Sequence, residues 1–257
     1  MTDLRTLPST EGAAAPGALR EGFLLTAHRG AVDVAPENTI LAFTEAERLG
    51  FNEIELDVQL AKDGSLVIGH DRTFERVGSG DDALLNTPVD ELTLAELREI
   101  DLGLGQRVPT FDEMLDATSV FLQVEIKFPS AAEGIAAALA RRSARDRDRC
   151  VVTSFYPQGL HVFQKHCTPG ARGTGLLVAS LDSDWRFDAR WLEVPNLYLH
   201  WPGLSRGLVA ELQSQGIRVC ASMFNHRGDL RKIIETGVDG SSTDRPVFAQ
   251  GVIAELG

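Results

Sequence analysis

Glu53-Ile54-Glu55-Leu56-Asp57-Val58-Gln59-Leu60 alternates strictly between polar and aliphatic residues. Successive side chains of a β-strand point to opposite faces, so Glu53, Glu55, Asp57 and Gln59 share one face and four aliphatics share the other. A strand with one face in water gives this pattern. So does a strand whose acids point into a site that needs them, and the flanking sequence decides between the two.

Outward from this stretch, short apolar runs alternate with amphipathic helical stretches from residue 23 to the end, the pattern of βαβ units around a parallel sheet. The spacing predicts strands near 23–29, 53–60, 121–127, 150–155, 175–178, 196–201, 217–223 and 238–243, enough for an α/β fold of the (β/α)₈ TIM-barrel type. A further run, 66–70, follows Lys62-Asp63-Gly64-Ser65, whose Asp-Gly pair signals a hairpin folding back on the second strand. Asn38 or Thr39 can cap a helix carrying Ile40, Leu41, Phe43 and Leu49 that stops at Gly50. Thr93-x-x-Glu96 and Thr110-x-x-Glu113 read as capping boxes. Residues 71–108 exceed what a barrel loop needs and, with Gly78-Ser79-Gly80 and one clear helix, read as an insertion that roofs one side of the barrel mouth.

The length of 257 residues fits one such barrel, spanning 23–257 behind a loose tail over 1–22. A formal charge of -12 argues against nucleic acid and anionic membranes as partners, and a negatively charged substrate then needs a local cation. Cys150, Cys167 and Cys220 show no CxxC spacing, which suits reduced thiols in a cytoplasm. No signal peptide or membrane-spanning run is evident, so a soluble, cytoplasmic protein without stable membrane association is expected. Nothing in the sequence fixes an oligomeric state.

Strands of a parallel barrel are covered on both faces, so inward carboxylates must be paired, protonated or metal-bound. Glu55 and Asp57 lie near the C-terminal end of their strand, where barrel enzymes place their sites. Gln123-Val124-Glu125-Ile126-Lys127 repeats the alternation and sends Glu125 and Lys127 to one face. A structural ion pair would explain that pair alone; beside Glu55 and Asp57 it reads as a third oxygen ligand plus a phosphate-holding cation. His28-Arg29 ends the first strand and His70-Asp71 the hairpin return, offering two groups that titrate near neutrality and a planar fork suited to phosphate oxygens. Together these groups suit phosphoryl transfer.

Ala27-His28-Arg29-Gly30, Ala35-Pro36-Glu37-Asn38-Thr39, Glu55-Leu56-Asp57-Val58, Lys62-Asp63-Gly64, Val67-Ile68-Gly69-His70-Asp71, Glu125-Ile126-Lys127 and Gly237-Val238-Asp239-Gly240-x-x-Thr243-Asp244-Arg245-Pro246 form an ordered series that resembles the glycerophosphodiester phosphodiesterases, from about residue 24 to 248. The resemblance implies that His28 and His70 are an acid–base pair and that Glu55, Asp57 and Glu125 bind a divalent metal. It also implies that Arg29 and Lys127 hold the phosphate of a small glycerophosphodiester, which is hydrolysed to sn-glycerol 3-phosphate and an alcohol. All-oxygen ligation suits Mg²⁺ or Ca²⁺. The nucleophile is water or the glycerol 2-hydroxyl acting through a cyclic phosphate.

A lysophospholipase D or phospholipase C-like enzyme, or a silent barrel binding a phosphorylated ligand, are the rival readings. Phe155 and Trp201 are candidates for the pocket wall, and His200 and Trp201 could contact the alcohol. Ser222-Met223-Phe224-Asn225 stands where the family commonly shows Trp-Thr-Val-Asn, so Ser222 replaces an aromatic wall. Phe224, Trp201 or the insertion would then fill the space, or the pocket would be wider.

Overall fold

The computed structural model describes residues 21–256. The tail expected over 1–22 lies, up to residue 20, outside the described residues. Eight parallel strands close on themselves: β1 (Leu24–His28), β2 (Glu53–Leu60), β4 (Phe121–Ile126), β5 (Cys150–Ser154), β6 (Thr174–Val178), β7 (Asn196–His200), β8 (Arg218–Ser222) and β9 (Gly240–Thr243), with β3 (Leu66–Ile68) outside the ring. β1 pairs with both β2 and β9, which shuts the barrel. β3 runs antiparallel to β2, setting Val58 opposite Ile68 and Leu60 opposite Leu66, the hairpin that Asp63-Gly64 signals. No helix among the described residues is long and apolar enough to cross a membrane.

A helix follows each turn of the barrel, from Ile40–Arg48 to Pro246–Leu256. The aliphatic face of β2 meets this outer layer: Ile54, Leu56 and Val58 are wholly buried in one cluster with Phe43, Met114 and Ile135. Burying each such side chain contributes roughly 1.5–3 kcal/mol, which fixes the register and turns the acids inward. Inside the ring, Leu24, Val151, Tyr198 and Cys220 form a small plug toward the strand N-termini.

Local signals are built as read. Thr39 caps the first helix by accepting from the Ala42 N–H, the chain leaves it at Gly50, and both capping boxes are formed. Gly30 closes the loop after β1 against that helix; a Cβ there would lie 2.7 Å from the Ala42 backbone and the Phe43 ring, and its φ of +85° suits glycine. Between residues 71 and 108 the chain forms two short helices, Asp82–Asn86 and Leu94–Leu97, and a 3₁₀ turn, Val89–Glu91, where one helix was expected. Segments of three to five residues are too short to show a helical period. They carry their own apolar cluster, with Phe74, Leu85, Leu97 and Ile100 at its centre.

Candidate active site

Strand register builds the site. His28 stands beside Glu55 across β1 and β2, Glu55 beside Gln123 and Asp57 beside Glu125 across β2 and β4. Ligand atoms of Glu55, Asp57 and Glu125 all lie within 4.8 Å of one another, and the three side chains are buried. Lys127 Nζ is 3.0 Å from Glu125 Oε1 and 3.2 Å from Asp57 Oδ1, and Arg29 Nε is 3.4 Å from Asp57 Oδ2. All seven residues expected to bind metal, hold phosphate or move protons therefore end at one mouth of the barrel, the C-terminal one.

Two left-handed residues shape the rim. Arg29, φ +59°, is held by its N–H donating to Glu55 Oε2 at 3.0 Å. Asn38, φ +57°, donates from Nδ2 to Asp57 Oδ2 at 2.8 Å. A non-glycine residue in this region costs on the order of 1 kcal/mol or more, a cost that persists where surrounding contacts impose it.

Electrostatics separate the three acids. Burial pushes Glu55 well above the usual carboxylate range, and the charges of Asp57 and Glu125 add to it. Burial and then Asp57 push Glu125 up to about 7. Asp57 is also raised by burial, but Lys127 and Arg29 outweigh that and hold it below its ordinary value. Glu55 Oε1 is buried with no hydrogen-bond partner. Three converging acids, two buried oxygens without a hydrogen bond, Glu55 Oε1 and Asp57 Oδ1, and two carboxyls pressed toward protonation fit a hard divalent cation, because such an ion supplies the missing positive charge and prefers oxygen ligands.

Each histidine is turned by a carboxylate. His28 Nδ1 is 2.6 Å from Asp244 Oδ1, and His70 Nδ1 is 2.7 Å from Asp71 Oδ1. Burial raises both acids, but hydrogen bonds and positive neighbours outweigh it and hold them below the usual range, so they are ionised acceptors. Nδ1 then carries the proton, which leaves Nε2 as the nitrogen not bound to the aspartate. Burial lowers the His70 pKa, with Lys127 and Arg29 adding to it. Asn225 Nδ2 donates to Asp244 Oδ2 at 2.8 Å, while Asn225 Oδ1 accepts the Asp244 N–H at 2.9 Å.

Sequence reading left Asp244, Asn225 and Asp71 without roles. The available signal was that a working imidazole needs an orienting acceptor, and Asp71 and Asp244 stand in motifs beside the site.

Beside the acids opens a cavity of about 240 Å³ lined by Phe155, Leu177, His200, Ser222 and Met223 among others. Phe155 is 46% exposed at its rim. Trp201 is not among the lining residues; it packs against the apolar core with Lys232 Nζ 6.0 Å from its ring centre. Phe224 is wholly buried in the core. Neither ring occupies the space that the small Ser222 leaves.

The sequence profile of the glycerophosphoryl diester phosphodiesterase family matches residues 28–247. A glycerophosphodiester phosphodiesterase of Caldanaerobacter subterraneus subsp. tengcongensis is 31% identical over 238 residues, 87% of this chain and 94% of that protein. Among solved structures, an Oleispira antarctica phosphodiesterase in complex with the product sn-glycerol-3-phosphate is 25% identical at a TM-score of 0.76, covering 90% of this chain and 96% of that one. A glycerophosphodiester phosphodiesterase of Thermotoga maritima is also 25% identical at a TM-score of 0.74, covering 90% and 99%. The family profile spans most of the chain and a relative 31% identical covers 87% of it, so the chain belongs to the glycerophosphoryl diester phosphodiesterase family.

Proposed function

We propose that the chain hydrolyses glycerophosphodiesters to sn-glycerol 3-phosphate and an alcohol in the cytoplasm, using a divalent cation, Mg²⁺ or Ca²⁺, held by Glu55, Asp57 and Glu125. One observation carries the reading. Two imidazoles, each turned at Nδ1 by an ionised aspartate, flank a buried three-acid cluster backed by Arg29 and Lys127. The product bound to the Oleispira antarctica relative supports the glycerol 3-phosphate half of the substrate.

A phosphodiester gathers negative charge on its phosphoryl oxygens and its leaving oxygen as it reacts. A bound divalent cation neutralises part of that charge. Arg29 and Lys127 take the non-bridging oxygens, the guanidinium as a fork and the ammonium as a point charge. Nε2 of one histidine removes a proton from the nucleophile, and Nε2 of the other gives a proton to the leaving alcohol. The aspartates hold a proton on Nδ1 of both rings, so the base begins as the neutral imidazole with Nε2 free and the acid as the imidazolium with a second proton on Nε2.

Turnover of a panel of glycerophosphodiesters, read through glycerol 3-phosphate dehydrogenase with Mg²⁺, Ca²⁺ or EDTA, tests the reading. Product formation should need the cation, and His28→Ala and His70→Ala should each lose about 10²-fold or more in kcat/KM. Full turnover in EDTA would remove the metal from the reading. A loss of only a few-fold at either histidine would remove the pair.

A further inference from the structure

Arg76 lies outside the acid cluster, on the segment between β3 and the helix Asp82–Asn86, with its side chain 49% exposed. Each nitrogen of its guanidinium donates to one of two carboxylates. Nη1 donates to Glu37 Oε2 at 2.8 Å and Nη2 to Glu37 Oε1 at 2.7 Å, while Nε donates to Asp71 Oδ2 at 2.6 Å. Each carboxylate also holds a side chain of the site. Glu37 Oε1 accepts from Arg29 Nη1 at 3.1 Å, and Asp71 Oδ1 meets His70 Nδ1 at 2.7 Å.

We propose that Arg76 is a positioning residue that sets Arg29 and His70 together, one side chain removed from each. This rests on the functional reading above, in which Arg29 holds phosphate and His70 moves a proton. Geometry carries the step. A guanidinium and a carboxylate prefer to meet as two parallel bonds, so Glu37 left alone would take Arg29 as a fork and draw it off the mouth. Arg76 occupies that fork, and Arg29 keeps a single bond to Glu37 through Nη1. At Asp71, Arg76 takes Oδ2 and leaves Oδ1 for the imidazole. The backbone of this loop is fastened separately: Gln59 Nε2 donates to the carbonyls of Gly69 at 2.6 Å and Asp71 at 2.7 Å. Loss of Arg76 therefore loosens side chains, not the fold.

The test uses the full chain and two readouts. In Arg76→Ala, kcat/KM on a glycerophosphodiester should fall by about 10²-fold, the size expected when reacting groups are displaced by about 1 Å. The melting temperature should move little, because partly exposed ion pairs contribute little to folding. Guanidinium chloride at tens of millimolar should restore activity to Arg76→Ala. It should do nothing for Arg98→Ala, which removes another exposed arginine of the 71–108 segment, paired with Glu113, and should behave as wild type. Independently of turnover, ring ¹⁵N shifts should show His70 losing its Nδ1-protonated preference in Arg76→Ala while His28, held by Asp244, keeps its own.

Activity within about threefold of wild type with an unchanged His70 tautomer overturns the proposal, as does a loss that guanidinium does not relieve. A His70 tautomer change in a protein whose wild-type form cleaves no diester would sustain the positioning and overturn the functional reading.

Discussion

Glu53 and Glu55 sit two residues apart on β2, both buried and both turned into the barrel, yet they meet their charge in opposite ways. At the closed end, Glu53 pairs with the buried Arg172, accepts from the Thr26 hydroxyl at 2.7 Å, and has Arg172 stacked 4.7 Å from the Phe121 ring centre. One acid meets one base. At the mouth, three acids face two cations and an oxygen of Glu55 has no protein partner. A balanced pair belongs to the architecture, whereas an unbalanced cluster is held ready for something the chain does not itself supply. Burial alone does not distinguish these roles; the balance of charge does.

The largest effects should come from breaking the mouth. Asp57→Asn or Glu55→Gln should abolish turnover, by more than about 10³-fold, and weaken Mg²⁺ and Ca²⁺ binding in calorimetric titration. In Glu55→Gln the metal-free fold should hold or gain stability, because a buried like-charge contact is relieved, whereas Asp57→Asn takes the counter-charge from Lys127 and Arg29 and should lose some. Undiminished cation binding by both variants would refute the ligand assignment.

Breaking the closed end should do the reverse. Arg172→Met leaves Glu53 buried without its cation and should cost about 3–5 kcal/mol of stability in denaturant unfolding, with near-normal turnover by the molecules that stay folded. Glu53→Gln added to Arg172→Met should recover much of that loss. If the single variant were as stable as wild type, the closed-end pair would have no structural role.

A third measurement sharpens the contrast through pH. Glu125 is raised in the folded state from its ordinary 4.5 to about 7, so between those values the unfolded chain has released a proton that the folded chain keeps. Stability without metal should fall as pH rises through that window and stay low above it, by on the order of 3 kcal/mol at ~1.4 kcal/mol per pH unit. Melting curves in EDTA at pH 5 and pH 8 should differ in that direction. Saturating Mg²⁺ or Ca²⁺ should shrink the difference by binding the ionised acids of the native state. A metal-free protein that is more stable at pH 8 than at pH 5 would contradict the shift.

The smallest effect concerns the cavity wall. Ser222→Trp should leave cation affinity unchanged and shift relative kcat/KM toward smaller alcohols, at about 1–3 kcal/mol per methylene excluded. A variant with the wild-type substrate ranking would mean that position 222 does not limit the alcohol.

Alternation made the inward acids legible. Glu55, Asp57 and Glu125 lie on strands whose period of two is visible in eight and five residues, while His28 ends β1 and His70 follows β3. Arg172 was not legible, because it stands in Pro169-Gly170-Ala171-Arg172-Gly173, a turn with no period to show which way a side chain points. Asp244 and Asn225 meet across 19 residues and Arg76 reaches Glu37 across 39, pairings that only chain closure creates. The short helices between residues 82 and 97 escaped detail because none is longer than five residues. The two capping boxes were readable because their signal is side-chain chemistry at fixed spacing.

β3 is the strand the closed ring leaves over, and an antiparallel strand outside a barrel would ordinarily present a free row of amides and carbonyls to other chains. Here Ile68 donates to the Pro109 carbonyl at 2.9 Å and Val67 bridges Thr110, the residue that also caps the helix Phe111–Ala117. Pairing on that side continues into a segment that opens with a proline and ends in a helix, neither of which extends a sheet. The hairpin that carries His70 to the mouth is thereby denied as a template for edge-to-edge aggregation.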